Sequence, residues 1–181
     1  MRRWLAWTIG VALVVSAWGV LQITPSQDDA EAPFPLAAAI DEATSARGFV
    51  VTVTDVRLAS RAVAGGWSAE GTWLVVDLRA EATQDETGTI LAHAELVIEG
   101  VAYRASERPA SLLRGGLTPG IPREGSLAFE LPGDVARDTA TLELGISDDP
   151  RLDSLVTLDL DLGTLDAEDE VELLETGWTE R

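Results

Sequence analysis

Hydrophobic and polar residues alternate along most of the chain after residue 48, which is typical of β-strands that bury one face. The stretch 72–83 (TWLVVDLRAEAT) shows this pattern most clearly. Gly- and Pro-containing turns separate it from similar stretches. The pattern predicts seven strands, at residues 48–58, 72–83, 94–98, 101–105, 126–132, 139–146 and 155–163. Because each strand has one apolar face to bury, we expect an antiparallel β-sandwich.

The alternation also predicts which side chains enter the core. The expected core residues are Leu74, Val76, Leu78, Ala80, Leu127, Phe129, Leu131, Ala140, Leu142, Leu144, Ile146, Val156, Leu158, Leu160 and Leu162. Asp77, Arg79 and Glu81 alternate with the first of these and are therefore expected on the solvent face. The stretch 48–58 is apolar on both faces at its start, which indicates a bulge or a change of register there.

A tight hairpin is predicted at residues 94–105 (AELVIEGVAYRA), turning at Glu99-Gly100. Gly accepts the positive φ that two-residue hairpin turns require. This register pairs Ile98 with Val101, Leu96 with Tyr103, and Ala94 with Ala105 on the core face. On the opposite face it sets Glu95 against Arg104, a favourable pair of charges. Two independent patterns thus agree on one register.

An uncharged apolar stretch of 20 residues, 4–23, opens the chain directly after an arginine pair. As a helix it would be about 30 Å long, which matches the hydrocarbon thickness of a bilayer. Cleavable signal peptides have shorter apolar regions, of about 7–15 residues. Cleavage after Ala17 is the alternative, but the apolar run continues beyond that position. We therefore predict a retained membrane anchor over residues 1–25.

Charges on the two sides of this stretch predict its orientation. Basic residues precede it and acidic residues follow it, namely Arg2 and Arg3 before it, and Asp28, Asp29 and Glu31 after it. Under the positive-inside rule the N-terminus stays in the cytoplasm. The chain is therefore expected to be a single-pass protein of the cell membrane with its C-terminal domain outside the cytoplasm.

Three segments lie outside the predicted strands. Residues 26–47 are acidic and contain Pro, as solvated tethers do, and a Pro and a Gly bound a short helix predicted over 35–48. Residues 106–125 are rich in Gly and Pro and predict a loop. Residues 164–181 are strongly acidic and predict a frayed helix or a disordered tail. The β-sandwich is therefore expected to cover residues 48–163.

Composition and charge narrow the choice of partners. The chain carries 31 acidic and 13 basic residues, for a net charge of −18. Such a surface repels nucleic acid and anionic lipid headgroups, since binding to either requires neutralisation of phosphate. Cys is absent, which excludes disulfides, thiolate metal sites and thiol nucleophiles.

Several motifs together resemble a known family of exported domains. They are GTWLVVDLRAEA (71–82), LVIEGVAYRA (96–105), LTPGIPREGSLAFELP (117–132) and TLELG (141–145). They are similar to the small immunoglobulin-like domain of unknown function found in Gram-positive exported lipoproteins and membrane-anchored proteins. The resemblance covers residues 48–146 and implies an immunoglobulin-like β-sandwich, similar in fold to a small secreted immunogenic protein of mycobacteria. The family has no established catalytic residues, and this chain lacks its lipidated Cys.

Three groups of residues are candidates for sites of chemistry. His93 is the single histidine, and without an organised nucleophile nearby it is expected to be a surface or strand-edge residue. The acidic run 159–170 has Thr164 where a calcium-binding loop needs Gly, and its acids alternate with Leu as on a strand. The acids of 148–154 fit a turn. We therefore predict no catalytic residue, no metal site and no cofactor.

Two loops stand out chemically from the acidic chain. GGWSAEGTW (65–73) places Trp67 at an expected mobile hairpin tip, and ERPASLLRGG (107–116) contains Arg108 and Arg114. Trp and Arg are enriched in interface hot spots, and loops on rigid sandwiches commonly carry recognition. The hypothesis is a non-catalytic binding or accessory module that contacts another cell-envelope protein. The alternatives are a domain that senses a small ligand or cation, and a hydrolase.

Overall fold

A computed structural model of the chain describes residues 2–23, 31–83, 88–133 and 139–179. The chain forms two compact units, Met1–Ala32 and Pro33–Arg181. The second unit includes more residues at both ends than the predicted domain of 48–163. Residues 26–30 of the predicted tether lie outside the described part of the chain.

The first unit contains the helix α1 (Arg2–Ile23). Over Arg3–Val20 it is long and apolar enough to span a membrane, and it is the one such helix among the described residues. Its 22 residues give a length of about 33 Å. Its large apolar side chains, among them Trp4, Trp7 and Trp18, are exposed. The predicted N-terminal apolar helix is therefore confirmed.

The second unit is a β-sandwich, as predicted. Its described strands are β1 (Phe34–Ala37), β2 (Thr44–Ala46), β3 (Phe49–Ala64), β4 (Trp67–Ala82), β5 (His93–Ile98), β6 (Val101–Arg104), β7 (Arg123–Leu131), β8 (Thr139–Gly145), β9 (Ser154–Asp161), β10 (Ala167–Glu168), β11 (Val171–Glu172) and β12 (Gly177–Trp178). A 3-10 helix, Leu162–Thr164, follows β9. One sheet has the order β1-β9-β8-β5-β6, and the other has the order β10-β3-β4-β7-β12, with β2 and β11 also paired to β3. The seven predicted strands correspond to β3–β9.

The core between the two sheets contains the side chains that the alternation selected, together with others such as Phe49, Val51 and Leu91. Successive residues of a strand point to opposite faces, so the even-numbered apolar positions of β4 all enter the same layer. The expected core residues outside the hairpin are all buried there except Ile146, which is partly buried against the core, as is Tyr103 of the hairpin. The strand β3 changes register between Val53 and Asp55, in agreement with the irregularity that its doubly apolar start indicated.

The hairpin β5–β6 has the predicted turn and register. Glu99 and Gly100 have φ values of 49° and 80°, the positive values of a two-residue turn that matches strand twist. The cross-strand pairs are Glu95–Arg104, Leu96–Tyr103 and Ile98–Val101. Val101 is nevertheless 54% exposed, because β6 is the edge strand of its sheet.

The predicted helix over 35–48 is wrong. The segment forms β1, which pairs in parallel with Ser154–Thr157 at the edge of one sheet, and β2, which pairs with Phe49–Val51 of the other. The run of alanines favours a helix locally, but pairing with strands already in place satisfies the same backbone groups. Tertiary contacts therefore override the local preference.

The predicted disordered tail is also wrong, because residues 165–179 form a strap over the outer face of the larger sheet. The strands β10 and β11 pair in parallel with β3 at one edge, and β12 pairs with β7 at the other. Between them Val171 and Leu173 are buried in a second apolar cluster. That cluster also contains Ala59, Ala62, Ala64, Trp73, Val75 and Ala128. The strap therefore covers part of the face that the alternation assigned to solvent, and Asp77 on that face is buried.

Candidate functional site

Trp67 lies at the far end of the β3–β4 hairpin. The turn is Gly65-Gly66, with positive φ values of 50° and 91°, and Trp67 pairs with Ala64 directly after it. Because β7 pairs with β4 only from Thr72 onward, the end of the hairpin extends past its neighbouring strand. Trp67 is therefore half-buried at the end of the hairpin, beyond the part of β4 that pairs with β7.

Arg108 reaches this same place from the loop between β6 and β7. Its guanidinium carbon lies 6.0 Å from the ring centre of Trp67 and 5.7 Å from that of Trp73. The two indoles are perpendicular, with ring centres 5.4 Å apart. A guanidinium nitrogen of Arg108 donates a hydrogen bond to Glu130 Oε2 at 2.5 Å. We call these four residues the Trp–Arg patch.

Trp73 forms the buried floor of the Trp–Arg patch. It is completely buried, and its Nε1 has no hydrogen-bond partner among the described residues. A Cβ added at Gly71 would lie 3.3 Å from that nitrogen, so Gly71 leaves room for the edge of the indole. Trp73 was not among the predicted site residues. The sequence did contain a signal for it: Trp73 precedes the core residue Leu74 and lies six residues, an even spacing, after Trp67, so alternation places both indoles on the outer face.

Arg114 does not belong to the Trp–Arg patch. It bonds the carboxylates of Glu107 at 3.1 Å and Asp148 at 3.2 Å. Glu107, followed by Asp148, raises the pKa of the Arg114 guanidinium above its ordinary value. The structure thus brings together Trp67 and Arg108 and sets the third predicted residue apart.

Arg114 lines a small polar cavity of about 40 Å³ instead. The cavity is also lined by Ala92, His93, Ala94, Glu95, Arg104, Ala105, Glu107, Leu113 and Asp148. His93 is only 6% exposed, so the expectation of a surface or strand-edge histidine is wrong. Its strand lies between β6 and β8. Its cross-strand neighbour Gly145 has no side chain, which leaves room for the imidazole to lie against the sheet.

The acidic stretches make local structural contacts. Asp161 caps the 3-10 helix by accepting a hydrogen bond from the backbone N–H of Gly163, and Asp159 accepts one from Thr141. Asp149 is bonded by Arg151, and these hydrogen bonds lower the pKa of the Asp149 carboxyl. These contacts agree with the interpretation of both stretches as strand and turn residues.

Comparisons with known proteins identify the fold. No family model matches the chain. No curated protein matches it either. A solved structure described as an uncharacterized β-sandwich protein from Clostridium difficile 630 is similar, with a TM-score of 0.50 and 9% sequence identity. The similarity covers 76% of this chain and all of that one. At this identity the likeness shows a β-sandwich and nothing about activity.

Proposed function

We propose that this protein is a membrane-anchored, extracytoplasmic binding module that contacts another cell-envelope protein through the Trp–Arg patch. The observation that carries the proposal is the placement of Arg108 over two indoles at the end of the β3–β4 hairpin. Trp and Arg are enriched among the residues that dominate the energetics of protein interfaces, where they lie in well-packed pockets. The family of Gram-positive exported domains that the motifs resemble is compatible with such a role.

Preorganisation of the Trp–Arg patch supports the proposal. Glu130 holds the Arg108 guanidinium, and the indole of Trp73 supports that of Trp67 edge to face. Association costs free energy for every side chain that it immobilises, so anchors that are already positioned retain more of their binding energy. Exposed cation–π contacts contribute about 0.5–1 kcal/mol each, enough to bias the conformation of Arg108 before a partner arrives.

Charge indicates the chemistry of the partner. With a net charge of −18, the chain attracts a basic protein surface and repels an acidic one. We therefore propose a partner that carries Lys and Arg residues around an apolar contact. Long-range attraction of this kind weakens as salt screens the charges, so capture of the partner should decline as the NaCl concentration rises above about 0.15 M.

Alanine substitution in the Trp–Arg patch tests the binding proposal. Hot-spot truncations cost about 2 kcal/mol or more, so Trp67→Ala with Arg108→Ala should reduce partner capture by at least about 30-fold. The measurement is in-cell crosslinking from a photoreactive residue at Ser68, which is exposed beside Trp67, followed by quantification of the captured protein.

Arg114→Ala is the matched control for this experiment. The side chains of Arg108 and Arg114 are similarly exposed, 56% and 51%, and each pairs with acidic residues. Loss of Arg114 should leave capture from Ser68 unchanged. Equal losses in both variants, or capture that survives the double substitution, would contradict the proposed role of the Trp–Arg patch.

Retention of α1 is a separate prediction. The apolar span behind Arg2 and Arg3 supports an uncleaved anchor with a cytoplasmic N-terminus. The intact mass of the protein isolated from its native membrane should therefore correspond to the full chain, with residues 1–17 still present. A mature N-terminus at Trp18 would show that the segment is a cleaved signal.

Absence of catalysis is the third part of the proposal. The described residues lining the cavity at His93 include neither a hydroxyl nor a thiol side chain, which supports a binding role over nucleophilic hydrolysis. Hydrolysis of a substrate by the full-length protein, abolished by His93→Ala, would favour the enzyme alternative.

A further inference from the structure

Three potential metal ligands come together on the outer face of the smaller sheet. They are His93 and Glu95 of β5 and Glu143 of the neighbouring strand β8, and one ligand atom from each lies within 4.8 Å of the others. The register explains the grouping, since Glu95 is directly opposite Glu143 while His93 is opposite Gly145. The side-chain-free position at Gly145 lets the imidazole lean towards Glu143.

The imidazole is buried without a hydrogen bond at its outer nitrogen. His93 is 6% exposed, and its Nε2 has no hydrogen-bond partner among the described residues. Its nearest charged group is Glu143, with Nε2 and Oε2 3.6 Å apart, beyond hydrogen-bond distance. Buried polar atoms in proteins usually have a hydrogen-bond partner, so this nitrogen is available as a metal ligand beside two carboxylates, each of which has an oxygen within 4.8 Å of an imidazole nitrogen.

We propose that His93, Glu95 and Glu143 bind one divalent transition-metal ion of the zinc class. Two ligands of a tetrahedral ion with bonds of about 2.0–2.1 Å lie about 3.3–3.4 Å apart. The 3.6 Å between His93 and Glu143 is already near that separation. An imidazole among the donors favours zinc-class ions over Ca²⁺ and Mg²⁺, which select oxygen ligands.

The opposed carboxylates give the ion an electrostatic role. Like charges directly across a strand pair destabilise a sheet, and Glu95 and Glu143 are such a pair. Arg104 compensates in part, because its Nε donates a hydrogen bond to Glu95 Oε1 at 2.8 Å. A carboxylate can accept that bond and still bind a cation, so Arg104 orients Glu95 as outer-shell partners of metal ligands do.

The surroundings leave room for a fourth ligand. The cavity of about 40 Å³, which His93 and Glu95 line and Glu143 does not, is large enough for a water molecule on that side of the site. Three protein ligands and one exchangeable position describe a zinc ion in tetrahedral coordination. The site involves none of the residues of the Trp–Arg patch, so this inference stands whether or not the patch binds a protein.

Titration of the full-length protein with ZnCl₂ tests the proposal. The protein is purified in detergent with a tag free of histidine, stripped of metal with EDTA, and studied by calorimetry. We expect one Zn²⁺ per chain with a Kd in the micromolar range or below. At free Zn²⁺ a hundredfold above Kd, the melting temperature should rise by about 5–10 °C. Because the chain has a single histidine, its imidazole NMR signals should shift during the same titration.

Conservative variants separate this site from diffuse binding to the acidic surface. His93→Gln and Glu143→Gln should each weaken Zn²⁺ binding at least tenfold, as should Glu95→Gln. Glu107→Gln is the matched control, since Glu107 lines the same cavity but is not one of the three ligands, and it should bind Zn²⁺ normally. Circular dichroism and the metal-free melting temperature identify any variant that does not fold. The Zn²⁺ affinities of the folded variants then show whether the three residues are the ligands.

Three results of the Zn²⁺ titrations would overturn the proposal. They are the absence of stoichiometric Zn²⁺ binding, binding that the folded His93→Gln and Glu143→Gln variants retain, and a loss as large in Glu107→Gln as in the ligand variants. Equal thermal stabilisation by Mg²⁺ at the same concentration would also overturn it, because it would show general screening of the acidic surface.

Discussion

Replacing Asp77 with alanine is expected to lower the free energy of unfolding by about 3–5 kcal/mol, the range for breaking a buried ion pair by removing one partner. The Asp77 side chain is only 6% exposed. Its carboxylate accepts hydrogen bonds of 2.5 Å from both Arg57 and Ser126. Ser126 Oγ in turn accepts a bond of 2.7 Å from the backbone N–H of Leu174 in the strap. Loss of the Asp77 carboxylate therefore leaves Arg57 and Ser126 without this hydrogen-bond acceptor beneath the strap.

Arg79→Ala is the control for this substitution. Arg79 is two residues along the same strand and on the same face, but its side chain is 59% exposed and its ion pair with Glu124 spans 3.5 Å. Breaking an exposed pair costs only about 0–1 kcal/mol. Urea unfolding of the full-length protein in detergent measures both variants. Equal destabilisation of the two would mean that Asp77 is accessible to solvent and that the strap does not cover it.

Ending the chain after Thr164, which removes the strap, is expected to cost at least about 3 kcal/mol. Burial of a Val or Leu side chain contributes about 1.5–3 kcal/mol, and the strap buries Val171 and Leu173. Its removal also uncovers Trp73 and Val75. The conformational entropy of the strap opposes its docking, and the strand pairing of the strap with β3 and β7 acts against that cost together with the burial of apolar surface.

Two adjacent leucines of the strap provide a finer test by urea unfolding. Leu173 is buried, so Leu173→Ala should cost about 2–5 kcal/mol, whereas Leu174 is 42% exposed and Leu174→Ala should change stability by less than about 0.5 kcal/mol. A truncated chain as stable as the full chain, or the opposite ranking of the two leucines, would show that the strap does not dock. Asp77→Ala should cost less in the truncated chain, since the two changes share Ser126 and Leu174.

The strap also bears on the proposed function. Trp73, the floor of the Trp–Arg patch, belongs to the same apolar cluster as Val171 and Leu173, and Trp67 packs against that cluster. The strap thus supports the patch through its contacts with the apolar cluster to which Trp73 belongs. Loss of partner capture in the truncated chain would follow from a displaced Trp73 even though no strap residue belongs to the patch.

Local pattern was sufficient for the features whose causes are local. The alternation of Leu74, Val76 and Leu78 selects the core face of β4, because side chains of a strand point alternately to its two faces. The turn at Glu99-Gly100 follows from backbone conformations that Gly accepts, and the turn length sets the register of β5 and β6. The N-terminal helix follows from twenty successive uncharged residues.

Tertiary structure alone decided the rest, because the deciding neighbours are distant along the chain. The alternation predicts a solvent-facing Asp77, but Ser126 and the strap bury it. The acidic composition of the strap predicts a disordered tail, but Val171 and Leu173 pack against the outer face of the sheet. His93 is buried because strand pairing sets it against Gly145. Sequence chemistry selected Trp67 and Arg108 as unusual residues, but only the folded chain stacks one over the other, since a contact across 41 residues depends on where both segments are held.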